Sequence, residues 1–205
     1  AAGGDVTVLA KAIGYDPRIG NRFLEPGPGW GGSCFPKDTK ALESIANSFG
    51  VELPLITAAI ASNDAAHKRV ADRVANALGG SLTGKTIAVL GLTFKANTDD
   101  TRESPAIAVV EQLVSCGGKV VAYDPMVTKY ELTGMSLTDS AATAATGADA
   151  LVVLTEWAEF KEIDAKQILS AMSGNVVVDT RNVLDKKTWE AAGAIIPNNS
   201  TMRTV

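Results

Sequence analysis

The chain is poor in cysteine and histidine, and each shortage removes a class of protein. Only Cys34 and Cys116 occur among 205 residues. That is too few for a disulfide-stapled scaffold, so a reducing cytoplasm is the default compartment. His67 is the single imidazole. No run of about 18 apolar residues is present to span a membrane, and no signal peptide is visible. Basic runs are missing too, and a net charge of −4 argues against a nucleic-acid binder. No internal repeat or low-complexity segment occurs. What remains, 46% hydrophobic and 20% charged residues, fits a soluble globular protein long enough for one ordinary domain plus a smaller one. The chain has no initiator Met and opens on AAGGDVTVLAKAIG, which reads as the middle of a helical region. A fragment of a longer protein is expected.

Against this background one stretch stands out, GPGWGGSCFPKD at residues 27–38. Glycines permit sharp turns and close backbone approach, and Pro36 suits the first turn of a helix. Ala41, Leu42, Ile45, Ala46 and Phe49 follow at helical spacing, with Gly50 as a stop. Cys34 is therefore placed at a helix N-terminus, where free N–H groups and the macrodipole favour an anion such as a nucleophilic thiolate. Lys37 adds a nearby positive charge. A tight turn around a buried, inert cysteine is the alternative.

Up to Leu78 the pattern is helical. In LPLITAAIASNDAAHKRVADRVANAL the residues Ile56, Ile60, Asn63, His67, Val70, Val74 and Leu78 form one stripe. It serves either a subunit interface or an intrachain core, with His67 in a structural or solvated role. SLTG (81–84) reads as a linker. Beyond it, β-branched runs at 86–91, 119–124, 150–155 and 175–180, and a possible fifth at 194–197, alternate with helical segments. The prediction is an α/β protein: an all-helical central region over 1–80, then a Rossmann-like parallel sheet over 81–205 with helices on both faces. Ligands of such sheets bind beyond the C-terminal strand ends. NNSTMRTV reads as a loose tail.

The first strand-to-helix connection is GLTFKANTDDTRESP. A dinucleotide fold places G-x-G-x-x-G there. This loop has one glycine and carries Lys95, Asp99, Asp100 and Arg102, and Ser104-Pro105 reads as the cap of the next helix. Lys95 and Arg181, at one sheet edge, suit a diphosphate, or are plain surface charges. Asp124-Pro125 reads as a turn, Cys116 as a small packing residue, and Trp157 and Phe160 as packing residues.

Taken together, GPGWGGSCFPKD, DPRIGNRFLEPG, GLTFKANTDDTRESP, TEWAEFKEID and VDTRNVLD resemble the UDP-glucose/GDP-mannose dehydrogenase family from about residue 3 to 196. The resemblance implies a central region plus a C-terminal nucleotide-sugar domain, without the N-terminal domain that holds most of the NAD. It implies oxidation of a sugar C6 alcohol to a carboxylate with two NAD⁺ and no metal. Cys34 is then the nucleophile, forming a thiohemiacetal and a thioester, and Asp38 helps the hydrolytic water. Arg18 reaches a neighbouring subunit's substrate. Phe23, Leu24, Gly31, Phe94, Lys95 and Arg181 contact the nucleotide sugar, and Arg102 the cofactor. The helix over 54–78 forms a homodimer. Trp30 stands where phenylalanine is frequent. The GGSC form leans towards UDP-glucose or GDP-mannose as substrate, and FPKD with DTRESP towards UDP-glucose. Two other classes stay open: a cysteine hydrolase using His67 as base, and a non-catalytic nucleotide-binding and dimerisation module.

Overall fold

The structure, a computed structural model, describes residues 4–197. The tail expected over NNSTMRTV lies outside them. Three helices come first: α1 (Val6–Gly14), α2 (Phe35–Ser48) and α3 (Pro54–Ala77). Asp5 caps α1 by accepting the N–H groups of Thr7 and Val8, and Pro54 opens α3 where no intrahelical donor is needed. Then strands and helices alternate: β1 (Thr86–Leu90), α4 (Pro105–Ser115), β2 (Lys119–Tyr123), β3 (Met135–Leu137), α5 (Ala141–Ala145), β4 (Ala150–Val153), α6 (Ala158–Lys161), α7 (Ala165–Ala171), β5 (Val176–Asp179) and α8 (Lys186–Ala191).

All strand pairs are parallel, in the order β3-β2-β1-β4-β5. The order reverses between β1 and β4, and there the connections leave a crevice beyond the strand ends. Side chains alternate across the sheet as strand geometry requires. Ile87, Val89, Ala150, Val152, Val176 and Val178 meet α3 and α4, whereas Ala88, Leu90, Leu151, Val153 and Val177 meet α5, α7 and α8. Each fully buried Leu, Ile or Val contributes roughly 1.5–3 kcal/mol, so the two faces together dominate stability.

The α/β expectation holds, with differences of detail. Strand β3 was absent from the sequence reading, because three residues with Ser136 at the centre carry no β-branched run. The possible fifth run forms a single bridge, Val176 to Ile195. SLTG is anchored rather than a free linker, for Leu82 is buried in the sheet core. Helix α3 divides its stripe. Val70, Ala71 and Val74 join the sheet core, but Ile56 and Ile60 are only half-buried and Leu55 is exposed. Helix α2 has the expected bounds, yet its apolar face is open, with Leu42, Ile45 and Phe49 all exposed, because no other segment among the described residues packs over it. Cys116, expected to pack, is exposed. It caps α4 just before the chain turns away at Gly117, which has φ +90°.

Candidate active site

The site is built where the helical region meets the sheet. Cys34 is the N-cap of α2, with Pro36 in the first turn, and its thiol is exposed. The local signals of the sequence therefore place the cysteine correctly, at a helix start and open to solvent. Its recorded side-chain contact is Ser33 Oγ at 3.9 Å. Asp38 follows one turn later, its N–H bonded to the Cys34 carbonyl at 2.9 Å. Lys37, expected to act on the thiol, instead pairs with Asp38 at 3.2 Å, both side chains exposed.

The glycines of the loop serve the protein's own packing. Gly32 donates its N–H to the Glu103 carbonyl at 3.2 Å. A side chain on Gly31 would lie 2.3 Å from that carbonyl oxygen and 2.4 Å from Pro105, and one on Gly32 would meet the Phe94 ring at 3.0 Å. Only glycine allows this approach. The cysteine loop thus docks on Phe94, Glu103 and Pro105, in and at the end of the connection from β1 to α4. Lys40 of α2 reinforces it with an ion pair to Glu103 at 3.1 Å.

That connection is itself pinned at the crevice. Thr155 Oγ1 donates to the Thr93 carbonyl at 2.7 Å, Ser104 Oγ to the Leu92 carbonyl at 2.7 Å, and Ala96 N–H to Glu156 at 3.1 Å. Asp124 carries more than a turn. Its Oδ1 accepts Met126 and Val127 N–H, and its Oδ2 accepts Leu92 N–H, Thr93 N–H, Thr93 Oγ1 and the Trp157 indole N–H, at 2.7–3.3 Å. Trp157 and Phe160 are buried as expected.

The charged candidates differ in freedom. Arg102 is exposed and chelates Asp100 at 2.8–2.9 Å. This hydrogen bond holds the Asp100 carboxyl down to about 2. In turn the Asp100 hydrogen bond and the Asp100 charge raise the guanidinium's own value. Lys95 is exposed, 5.2 Å over the Phe94 ring. Arg181 is not a surface cation. Its side chain is 12% exposed and bonds the carbonyls of Leu154 at 2.9 Å and Phe94 at 3.4 Å, with Glu156 at 3.3 Å. Burial pushes its affinity for the proton down, opposed by Glu156 and Asp179. Arg18 is exposed and folded back on Asp16. Phe23 is 97% exposed at φ +63°, and Leu24 is half-buried.

Two residues central to this architecture were not recognised from sequence. Asp124 was read only as a turn, and Asn63 only as part of a stripe. The Asn63 amide accepts Trp30 N–H at 2.8 Å and donates to the Trp30 carbonyl at 3.1 Å. His67 lies one turn further along α3, and its Nε2 is buried with no hydrogen-bond partner. With no bond between His67 and Cys34, the pair a cysteine hydrolase needs is missing among the described residues. Burial pushes the imidazole below its ordinary 6.5, with Asp64 opposing; Lys40, Glu103 and Glu111 line the same cleft. On acidification the unfolded chain therefore takes up this proton first. Stability present above pH ~6.5 is lost as pH falls below it. The melting temperature is expected to drop between pH 7.5 and 5.5, and His67→Gln to flatten that drop. Equal drops in both proteins would refute the assignment.

The loop 91–104 does not have the form of a dinucleotide cradle. Its one glycine, Gly91, would place a side chain 2.4 Å from Thr155, and its turns are closed by the Thr93, Ser104 and Thr155 bonds above.

Comparison with known proteins agrees in both halves. Residues 1–65 match the central domain of the UDP-glucose/GDP-mannose dehydrogenase family, and residues 88–186 its UDP binding domain. A UDP-glucose 6-dehydrogenase of Rhizobium meliloti is 46% identical over 187 residues, covering 90% of this chain and 43% of that protein. Among solved structures, a UDP-glucose dehydrogenase from Pyrobaculum islandicum aligns with TM-score 0.76 and 31% identity, over 96% of this chain and 44% of that one. A UDP-D-ManNAc dehydrogenase from Pyrococcus horikoshii aligns with TM-score 0.78 and 30% identity, over 95% and 44%. The chain spans less than half the length of the curated relatives it matches.

Proposed function

Since the chain belongs to the UDP-glucose/GDP-mannose dehydrogenase family, we propose that it supplies the thiol and nucleotide-sugar half of an enzyme that oxidises UDP-glucose to UDP-glucuronate. Residues 1–80 form the dimerisation region with the cysteine loop, and residues 81–205 the UDP-sugar domain. The observation that carries the reading is the docking, through Gly31 and Gly32, of the loop that bears an exposed, helix-capping Cys34 onto the β1–α4 connection, at the strand-order reversal of a parallel sheet.

The chemistry accounts for the residue types. An aldehyde has no electron pair ready to expel a hydride. Addition of the Cys34 thiolate to C6, with proton uptake by its oxygen, gives a thiohemiacetal that can. Loss of hydride from carbon and of the proton from oxygen leaves a thioester. Water then adds, the C–S bond breaks and the thiolate returns. Asp38, exposed one turn along α2, orients that water. NAD is the hydride acceptor and binds mainly outside the described residues, with Arg102 as a contact from this chain. Phe94, Lys95, Gly31, Phe23 and Leu24 lie along the nucleotide sugar. Arg181 acts by holding the Phe94 carbonyl and the β4 end in place. Arg18, with its guanidinium exposed, reaches the neighbouring subunit, and the open N-terminal half of α3 forms the homodimer.

Thermal unfolding with UDP-glucose, GDP-mannose or NAD⁺ added separately tests this. Ligand at 100 times its Kd stabilises by about 2.7 kcal/mol, a shift of several degrees at ~2–4 °C per kcal/mol. UDP-glucose is expected to give that shift and the other two little. A shift with GDP-mannose instead would overturn the base assignment. A shift with NAD⁺ alone, or none at all, would overturn sugar-nucleotide binding by this segment.

A further inference from the structure

We propose that Asn63 is a positioning residue for the Cys34 thiol, acting through the backbone of Trp30; this rests on the thioester reading above. The Trp30 peptide groups sit in a loop, outside any helix or strand, and need partners. The Asn63 amide satisfies both, accepting the N–H at 2.8 Å and donating to the carbonyl at 3.1 Å. The approach is close. Gly29, with φ +153°, leaves so little room that a side chain there would sit 2.7 Å from Asn63 Oδ1 and from His67 Nε2.

From Trp30 the constraint passes to the cysteine. The indole meets the Phe35 ring edge-on, centroids 4.9 Å apart, and Phe35 is the residue after Cys34. Ser33 Oγ, at 3.9 Å, is too weak a contact to fix the thiol. Its position is therefore set by the loop backbone, which Asn63 clamps on one side and the Glu103 carbonyl holds on the other. Asn63 also lines a cleft of about 310 Å³ between α2, α3 and α4 and belongs to neither apolar core. Its replacement is therefore expected to leave the packing of the sheet intact.

The chain carries its own control, because Cys116 is also exposed and free, at the far end of α4. Site-resolved alkylation by iodoacetamide in the wild type, Asn63→Leu and Asn63→Asp measures the Cys34 to Cys116 rate ratio. With the clamp gone, the first turn of α2 frays and the thiol leaves the helix terminus. The ratio is expected to fall about fivefold in Asn63→Leu. In Asn63→Asp, which keeps the acceptor for Trp30 N–H, it is expected to lie between. In the whole enzyme kcat should fall at least tenfold in Asn63→Leu, with KM for UDP-glucose within threefold. An unchanged ratio, a parallel change at both cysteines, or a rise in KM at constant kcat would each overturn the proposal. Turnover surviving Cys34→Ala would sink the thioester reading instead, and the alkylation ratio would still decide the clamp.

Discussion

Cys34→Ala in the whole enzyme is expected to abolish formation of the carboxylate product, by at least about a thousandfold in kcat, while leaving the UDP-glucose-induced thermal shift intact. The magnitude follows from the role. On the proposed thioester route there is, without the sulfur, no adduct from which the second hydride can leave and no thioester to hydrolyse, so the substitution removes a step rather than weakening one. The retained shift follows from the geometry. Cys34 is exposed and caps α2 with no side-chain hydrogen bond of its own to the helix, so its sulfur is expected to contribute little to the fold or to the nucleotide contacts proposed at Phe94 and Lys95. Turnover assayed by product formation, beside melting with and without UDP-glucose, separates the two. Carboxylate formation within tenfold of wild type would exclude a covalent role for Cys34. Loss of the thermal shift as well would make it a binding residue.

The second large effect is expected on stability, from Asp124→Ala. The carboxylate is 3% exposed, and its partners are neutral donors: four backbone N–H groups, the Thr93 hydroxyl and the Trp157 indole. Truncation leaves the buried members of that set without an acceptor, at about 1–3 kcal/mol for each group that water cannot reach. Relaxation recovers part of this, and a net loss on the order of 4 kcal/mol is expected. At ~2–4 °C per kcal/mol the melting temperature falls by roughly 10 °C. Asp124→Asn is expected to lose less, since one oxygen survives, but its amide N–H₂ then faces other donors. A fall of under about 2 °C in the alanine variant would mean that water or a rotated side chain replaces the carboxylate. The loop onto which the cysteine docks begins at Leu92 and Thr93, so UDP-glucose binding is expected to weaken in parallel.

What could be read from sequence divides by range of interaction. The strands β1, β2, β4 and β5 were legible because their β-branched runs announce themselves, buried on both faces in β1, β4 and β5 and on one face in β2. Strand β3 exists only through pairing with Val120–Ala122, a partner its own three residues do not specify. Cys34 was legible because its signals, the glycines before it and Pro36 after it, are local. The reason for the glycines was read less well. Close approach was right, but the structure shows Gly31 and Gly32 against Glu103, Pro105 and Phe94 of the same chain. Asn63 and Trp30 are 33 residues apart, and helical periodicity reports which face a side chain is on, not what it grips. Asp124 shows both ranges in one residue, with a local turn through Oδ1 and a long-range network through Oδ2. Arg181 was placed at the correct sheet edge, yet its burial and its carbonyl partners came only with tertiary structure.

Helix α3 is anchored in the sheet core at one end and held at the other by α2 and the Trp30 loop, and this makes it a lever. Val70, Ala71 and Val74 are fixed in the sheet core, and Leu55, some fifteen residues away, lies in the open. At 1.5 Å per residue the arm beyond the core is about 22 Å long, and Asn63 sits about 10 Å from the fulcrum. A tilt of about 5° moves the tip by about 2 Å and the Trp30 grip by about 1 Å, and displacement of that order at reacting atoms can cost about a hundredfold in rate. Under the proposed Asn63 clamp, a load on the tip of α3 would reach the Trp30 loop at about half its travel.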